Sequence, residues 1–188
     1  METKPEKLYH GSSHKIDGPL KPVLIQDSPE HIHEKPAIFG TERADVAALF
    51  MFPLDTLASI GFEQDIAYIC IWGTVEEFTQ PRFSKNSKSG AGQASKDKGG
   101  YLYVLPMETF EKVGKEYEWQ SFTAVEPIEI KSYDSAIDGM IQNGAQVYFI
   151  NNNAIFDQIV NNKSHRSPIL KTLTSENQKH NLKTKDFT

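Results

Sequence analysis

Three short stretches of this 188-residue chain carry residue types suited to ligand chemistry. The first is His10-Gly11, set after the apolar pair Leu8-Tyr9 and before Ser12-Ser13. Glycine lets backbone approach a ligand closely, histidine supplies a directional donor or acceptor, and the hydroxyls add further hydrogen bonds. The same residues also fit a strand that ends in a turn with a satisfied histidine. The second stretch is Glu116-Tyr117-Glu118-Trp119-Gln120. Side chains alternate along a strand, so Glu116, Glu118 and Gln120 would project together while Tyr117 and Trp119 point the other way. Two carboxylates and an amide on one face can serve acid-base or electrostatic chemistry, or can simply be solvated. The third is Phe39-Gly40-Thr41, where an aromatic ring, a glycine and a hydroxyl meet ahead of a helix. A planar ligand could stack on Phe39, with Thr41 holding a polar group.

These residues need elements to position them. Ala37 to Thr41 reads as a short strand, with Thr41 capping a helix that carries Val46, Ala47, Leu49 and Phe50 toward the core. Ile66 to Trp72 and Gly100 to Leu105 are apolar on both faces and read as interior strands. Tyr117 to Phe122 and Pro127 to Lys131 read as two more, the second alternating apolar and polar as a half-exposed edge would. A helix is expected from about Tyr133 to Asn143, with Ala136, Ile137, Met140 and Ile141 on one face and a stop at Gly144. A strand over Ala145 to Ile150 follows. The order is mostly β with a few short helices, unlike the regular βαβ alternation of a doubly wound nucleotide fold, and neither GxGxxG nor GxxxxGK[ST] is present.

Composition sets the frame. The chain is 38% hydrophobic, enough for one domain burying roughly 70% of its unfolded surface. We expect a single domain over residues 1–160 and a polar tail over 161–188. Lys plus Arg number 20 against 25 Asp plus Glu, and the net charge of -5 gives no global reason to bind nucleic acid or an anionic membrane. Cys70 is the single cysteine and reads as a small core residue. The polar start and the lack of a long apolar run imply a cytoplasmic protein with no membrane partner; specialised secretion that reads no apolar leader is compatible with this.

Taken in order, Tyr9-His10-Gly11-Ser12, then Ile38-Phe39-Gly40-Thr41 with Ala47 and Phe50 on the following helix, then Glu118-Trp119-Gln120-Ser121, resemble the three motif positions of ADP-ribosyltransferases. The order His, aromatic, Glu is that of the diphtheria-toxin and poly(ADP-ribose) polymerase branch, and it spans residues 8 to about 130. The resemblance implies an α+β fold with ADP-ribosyltransferase-like split β-sheets, NAD as co-substrate, and transfer of ADP-ribose to a protein or another macromolecule, nucleic acid included, with release of nicotinamide. His10 would bond the adenosine ribose and Gly11 the nicotinamide carboxamide. Phe39 and Phe50 would stack around the nicotinamide ring, and Ser12 and Thr41 would shape the pocket. Glu118 would be the catalytic carboxylate. Phe39 stands where the branch often has Tyr, so stacking is kept and a hydroxyl is lost. Glu116, two residues upstream of Glu118, has the spacing of a helper acid in the arginine-modifying branch, although His10 stands where that branch has Arg. A bacterial toxin or effector and a housekeeping enzyme both fit the pattern.

Other readings compete. A tRNA 2'-phosphotransferase shares a similar His-Gly motif but leans on several arginines, and only Arg43, Arg82 and Arg166 occur here. A module that binds NAD, ADP-ribose or a partner protein without turnover, or one that only hydrolyses NAD, would carry the same fold. His31 and His33 with Glu30 and Glu34 lack an evident third metal ligand, so no metal site is expected. The lysine-rich stretch 82–100 reads as a disordered connector, with contact to an acidic partner or to the phosphates of a nucleic acid as its other use.

Overall fold

The computed structural model describes residues 4–24, 35–53, 58–62, 67–73, 97–113, 118–152, 154–155 and 157–158. Glu116, His31, His33, residues 82–96 and the tail from 161 lie outside the described residues. Among the described residues eleven elements follow one another: β1 (Lys7–Ser12), β2 (Ile38–Thr41), α1 (Ala44–Leu49), β3 (Ala58–Phe62), β4 (Ala67–Trp72), β5 (Gly100–Pro106), β6 (Glu111–Val113), β7 (Glu118–Ser121), β8 (Glu129–Tyr133), α2 (Ala136–Gln142) and β9 (Gln146–Ile150). Six strands pair antiparallel in the order β6-β7-β2-β1-β5-β8. The other three, in the order β3-β4-β9, make a smaller sheet in which β4 and β9 run parallel. The chain is a mixed α+β structure, mostly antiparallel.

The strands that are apolar on both faces take the interior positions expected of them. β5 lies between β1 and β8, and β4 between β3 and β9. The main core gathers Val46, Leu49 and Met51 around α1, Ile137 and Met140 of α2, Leu102 of β5, and Ile69, Ile71 and Val147 of the small sheet. A six-residue helix has little stability of its own. What holds α1 is burial of four consecutive side chains, Val46 to Leu49. Close approach of backbone helps, since a Cβ on Gly11 would lie 1.9 Å from the Ala47 carbonyl oxygen. The opposite face of the large sheet has its own core of Leu8, Ile38, Tyr103, Leu105, Phe110 and Trp119. It is covered by the segment after β1, which is tied down where Leu20 and Val125 exchange backbone hydrogen bonds of 2.9 and 3.0 Å.

Three expectations are corrected. Thr41 does not cap α1: the helix starts at Ala44 after Arg43, and Thr41 Oγ1 accepts from the Arg43 amide at 3.2 Å, closing the turn before it. Phe50 follows the helix as its C-cap and is 43% exposed, so it does not enter the core. The second helix begins at Ala136, because Tyr133 is the last residue of β8. Ser135 caps it, its Oγ accepting from the Asp138 amide at 3.0 Å. Asp97 lies just upstream of β5 and completes the cap from a distance in sequence. Its carboxylate accepts from the amides of Ala136 (2.7 Å), Ile137 (3.3 Å) and Gly99 (3.2 Å) and from the Ser135 hydroxyl (2.6 Å). Four donors on one carboxylate at a helix N-terminus satisfy amides the helix itself cannot.

Candidate functional site

Residues far apart in sequence become neighbours through the strand order. β1, β2 and β7 are consecutive in the large sheet, with Tyr9 opposite Thr41 and Thr41 opposite Glu118. At the usual strand spacing, Glu118 lies about 10 Å from Tyr9 across this row. Paired residues project to the same side, so Glu118 and Gln120 share a face with Thr41 and Phe39, the face on which α1 packs. The expected grouping of Glu118 with Gln120, opposite Trp119, is therefore present. Trp119 and Ser121 point to the other face, together with Leu8, His10 and Ile38.

β1 and β2 bridge through Tyr9 and Thr41. Continuing that register would set Gly11 against Phe39; instead the Phe39 carbonyl is bonded by the His10 ring, with Nδ1 2.8 Å away. A carbonyl oxygen can only accept, so Nδ1 carries the proton and Nε2 keeps its lone pair. Burial pushes the His10 imidazole below its ordinary value of 6.5, outweighing the Phe39 carbonyl, which acts the other way. A neutral ring of defined tautomer results, and its free nitrogen can accept a hydrogen bond from a hydroxyl. The ring leans on Tyr103, centroid to centroid 6.2 Å at 56°. Tyr103 in turn accepts from the Ile16 amide at 2.7 Å and so holds the covering segment beside the histidine. Between that segment and the sheet is a cleft of about 320 Å³, lined by His10, Ile16, Leu20, Ala37, Ile38 and Phe39 among others.

The remaining site residues fall around this arrangement. Gly11 is buried against α1, where no larger residue fits. Ser12 is spent locally, its Oγ donating to the His14 carbonyl (2.8 Å) and accepting from the His14 amide (3.1 Å). Thr41 is buried in the turn described above. Glu118 is exposed at the start of β7, and Phe50 is exposed at the end of α1. The structure thus brings His10, Phe39, Thr41 and Glu118 onto three adjoining strands but divides their side chains, with His10 and Ser12 on one face and Phe39, Thr41 and Glu118 on the other.

Sequence reasoning missed two supports. Trp119 Nε1 donates to Glu42 Oε1 at 2.8 Å, anchoring the strand residue next to Glu118. A buried indole must place its N–H on an acceptor, and this requirement was the available signal. Arg43 and Asp45 pair side by side, Nε to Oδ1 at 3.0 Å and the second nitrogen to Oδ2 at 2.6 Å, with their side chains only 14% and 18% exposed. The pair stiffens the turn between Thr41 and α1. Spacing alone gave no sign of it, because residues two apart do not face each other on a helix.

Among the described residues no three His, Cys, Asp or Glu side chains converge as metal ligands would, and no helix is long and apolar enough to cross a membrane. Comparison of the chain with protein-family models, with curated proteins and with solved structures found no match.

Proposed function

We propose that the chain is an NAD-dependent mono-ADP-ribosyltransferase of the His-aromatic-Glu type, acting on a protein or other macromolecular acceptor. The observation that supports this most is the adjacency of β1, β2 and β7: the three motifs, about 30 and 80 residues apart in sequence, meet as consecutive strands in the same order. Neutral His10 offers Nε2 to a ribose hydroxyl of the adenosine half, and the cleft beside it has room for a flat, largely apolar group. Gly11, the residue assigned to the carboxamide, directly follows His10 on β1. Phe39 contributes a ring on the face it shares with Glu118.

Glu118 works by electrostatics. Breaking the bond between nicotinamide and ribose builds positive charge on the sugar, and a hydrogen bond from the ribose 2'-hydroxyl to the carboxylate strengthens as that charge grows. Nicotinamide leaves with the bonding pair, the acceptor's nucleophilic atom takes its place at the sugar carbon, and the acceptor's proton goes to solvent or to a neighbouring base. Glu116, two residues before Glu118 in sequence, is the candidate for that base.

The test uses labelled NAD with the chain and candidate acceptors, itself included. The wild type is expected to transfer label and release nicotinamide, and Glu118→Gln to lose about 100-fold or more of either rate. Because Glu118 is exposed, the melting temperature should hardly move. Undiminished turnover in that variant would sink the assignment. A wild type that NAD stabilises against heat but that never turns it over would instead be a binding module.

A further inference from the structure

β8 (Glu129–Tyr133) closes one side of the large sheet, and among the described residues no strand pairs with its outer edge. An edge strand exposes a row of unpaired backbone groups, and natural edges are blunted by charge, bulges or cover. Here the two isoleucines beside that row are open to solvent, Ile128 at 65% and Ile130 at 45%. They lie on one face, since Ile130 is opposite Tyr103 of β5 and Ile128 is two residues before it. On the other face stand one acid and one base, Glu129 and Lys131.

We propose that this edge docks antiparallel against the same edge of a second copy of the chain, with Ile130 facing its own counterpart. The register is chosen by charge. Centring on Ile130 sets Glu129 of each copy opposite Lys131 of the other, so two opposite-charge pairs form, and it sets Ile128 opposite Ser132. The symmetric registers on either side centre on Glu129 or on Lys131 and bring like charges together. In the favoured register the isoleucines cover one another across the join, and the unpaired amides and carbonyls of both edges find partners. Four strand spacings, about 19 Å, separate β8 from β7, so Glu118 stays clear of the contact. The pairing joins two six-stranded sheets into one of twelve and leaves the proposed catalytic face open in each copy.

Sedimentation of the full chain from low to high micromolar concentration is expected to show a monomer–dimer equilibrium. Lys131→Glu and Glu129→Lys should each raise the dimer Kd about tenfold, because symmetry turns both attractive pairs repulsive. The double swap restores opposite charges and should bring Kd back near the wild-type value. The readout does not depend on the charge variants alone: Ile130→Cys should give a covalent dimer on oxidation, as the native Cys70 is buried. A chain that stays monomeric throughout, a dimer that the double swap does not rescue, or an Ile130→Cys chain that never cross-links would overturn the proposal.

Discussion

Adding one methyl group at Gly11 puts a carbon 1.9 Å from the Ala47 carbonyl oxygen, 2.9 Å from the Ala47 carbonyl carbon and 3.3 Å from the Met51 amide nitrogen. The first distance is roughly half a normal van der Waals separation. All three neighbours are backbone atoms, so no side chain can rotate away, and relief requires α1 to recede from β1 by more than about 1 Å. The helix is wedged between the large sheet and β4, with Val46, Ala47, Ala48 and Leu49 all buried. Its displacement loosens that contact along its whole length. Overpacking of this kind costs about 3 kcal/mol, the upper end of the usual range. For a chain of this length that lowers the melting temperature by about 6–12 °C. The assay is thermal or urea unfolding of Gly11→Ala beside Gly18→Ala. The Gly18 variant is the informative control: a Cβ there meets nothing within 4 Å, while its φ of +79° still charges a backbone penalty of about 1–2 kcal/mol. If Gly11→Ala melts within about 2 °C of the wild type, or above Gly18→Ala, the close approach of α1 to β1 is wrong.

Two predictions concern His10. Asparagine can place an amide N–H where Nδ1 donates to Phe39, whereas glutamine reaches the position of Nε2 but abandons that bond. His10→Asn should therefore keep most of the stability and lose most of the NAD affinity, with His10→Gln showing the opposite balance; thermal melts with and without NAD read both quantities. The second is a pH dependence. Because the folded-state pKa of His10 lies below its ordinary 6.5, the unfolded chain takes up a proton first as pH falls. The histidine's contribution is complete above about pH 6.5 and is lost progressively below it, with a slope of at most about 1.4 kcal/mol per pH unit. Urea melts of wild type and His10→Asn between pH 5 and 7.5 should diverge in that window, and parallel curves would contradict a half-buried neutral ring.

Elements carried by their own periodicity were legible in the sequence. β4 and β5 announced themselves by continuous apolar runs, and α2 by Ala136, Ile137 and Met140 on one face. β3 and β6 were not anticipated. Glu111–Val113 is three residues with two charges, and Ala58–Phe62 shows no clean alternation; each owes its conformation to the strand beside it, β7 and β4 respectively. The same physics divides the site. That His10, Phe39 and Glu118 lie on strands could be read from local pattern, but that those strands adjoin could not, since pairing across about 30 or 80 residues leaves no local trace. The tautomer of His10 was equally hidden, because it is set by the Phe39 carbonyl. The Glu42 carboxylate that accepts from the Trp119 indole was hidden too, since its partner is 77 residues away.

The four-donor cap built on Asp97 also couples the two sheets. Asp97 stands just ahead of β5 in the large sheet, and α2 leads into β9 of the small one. One carboxylate therefore acts as a rivet, fastening the first turn of the helix that feeds the small sheet to the entry of a large-sheet strand. Two sheets joined in this way should loosen together as one cooperative unit rather than one after the other.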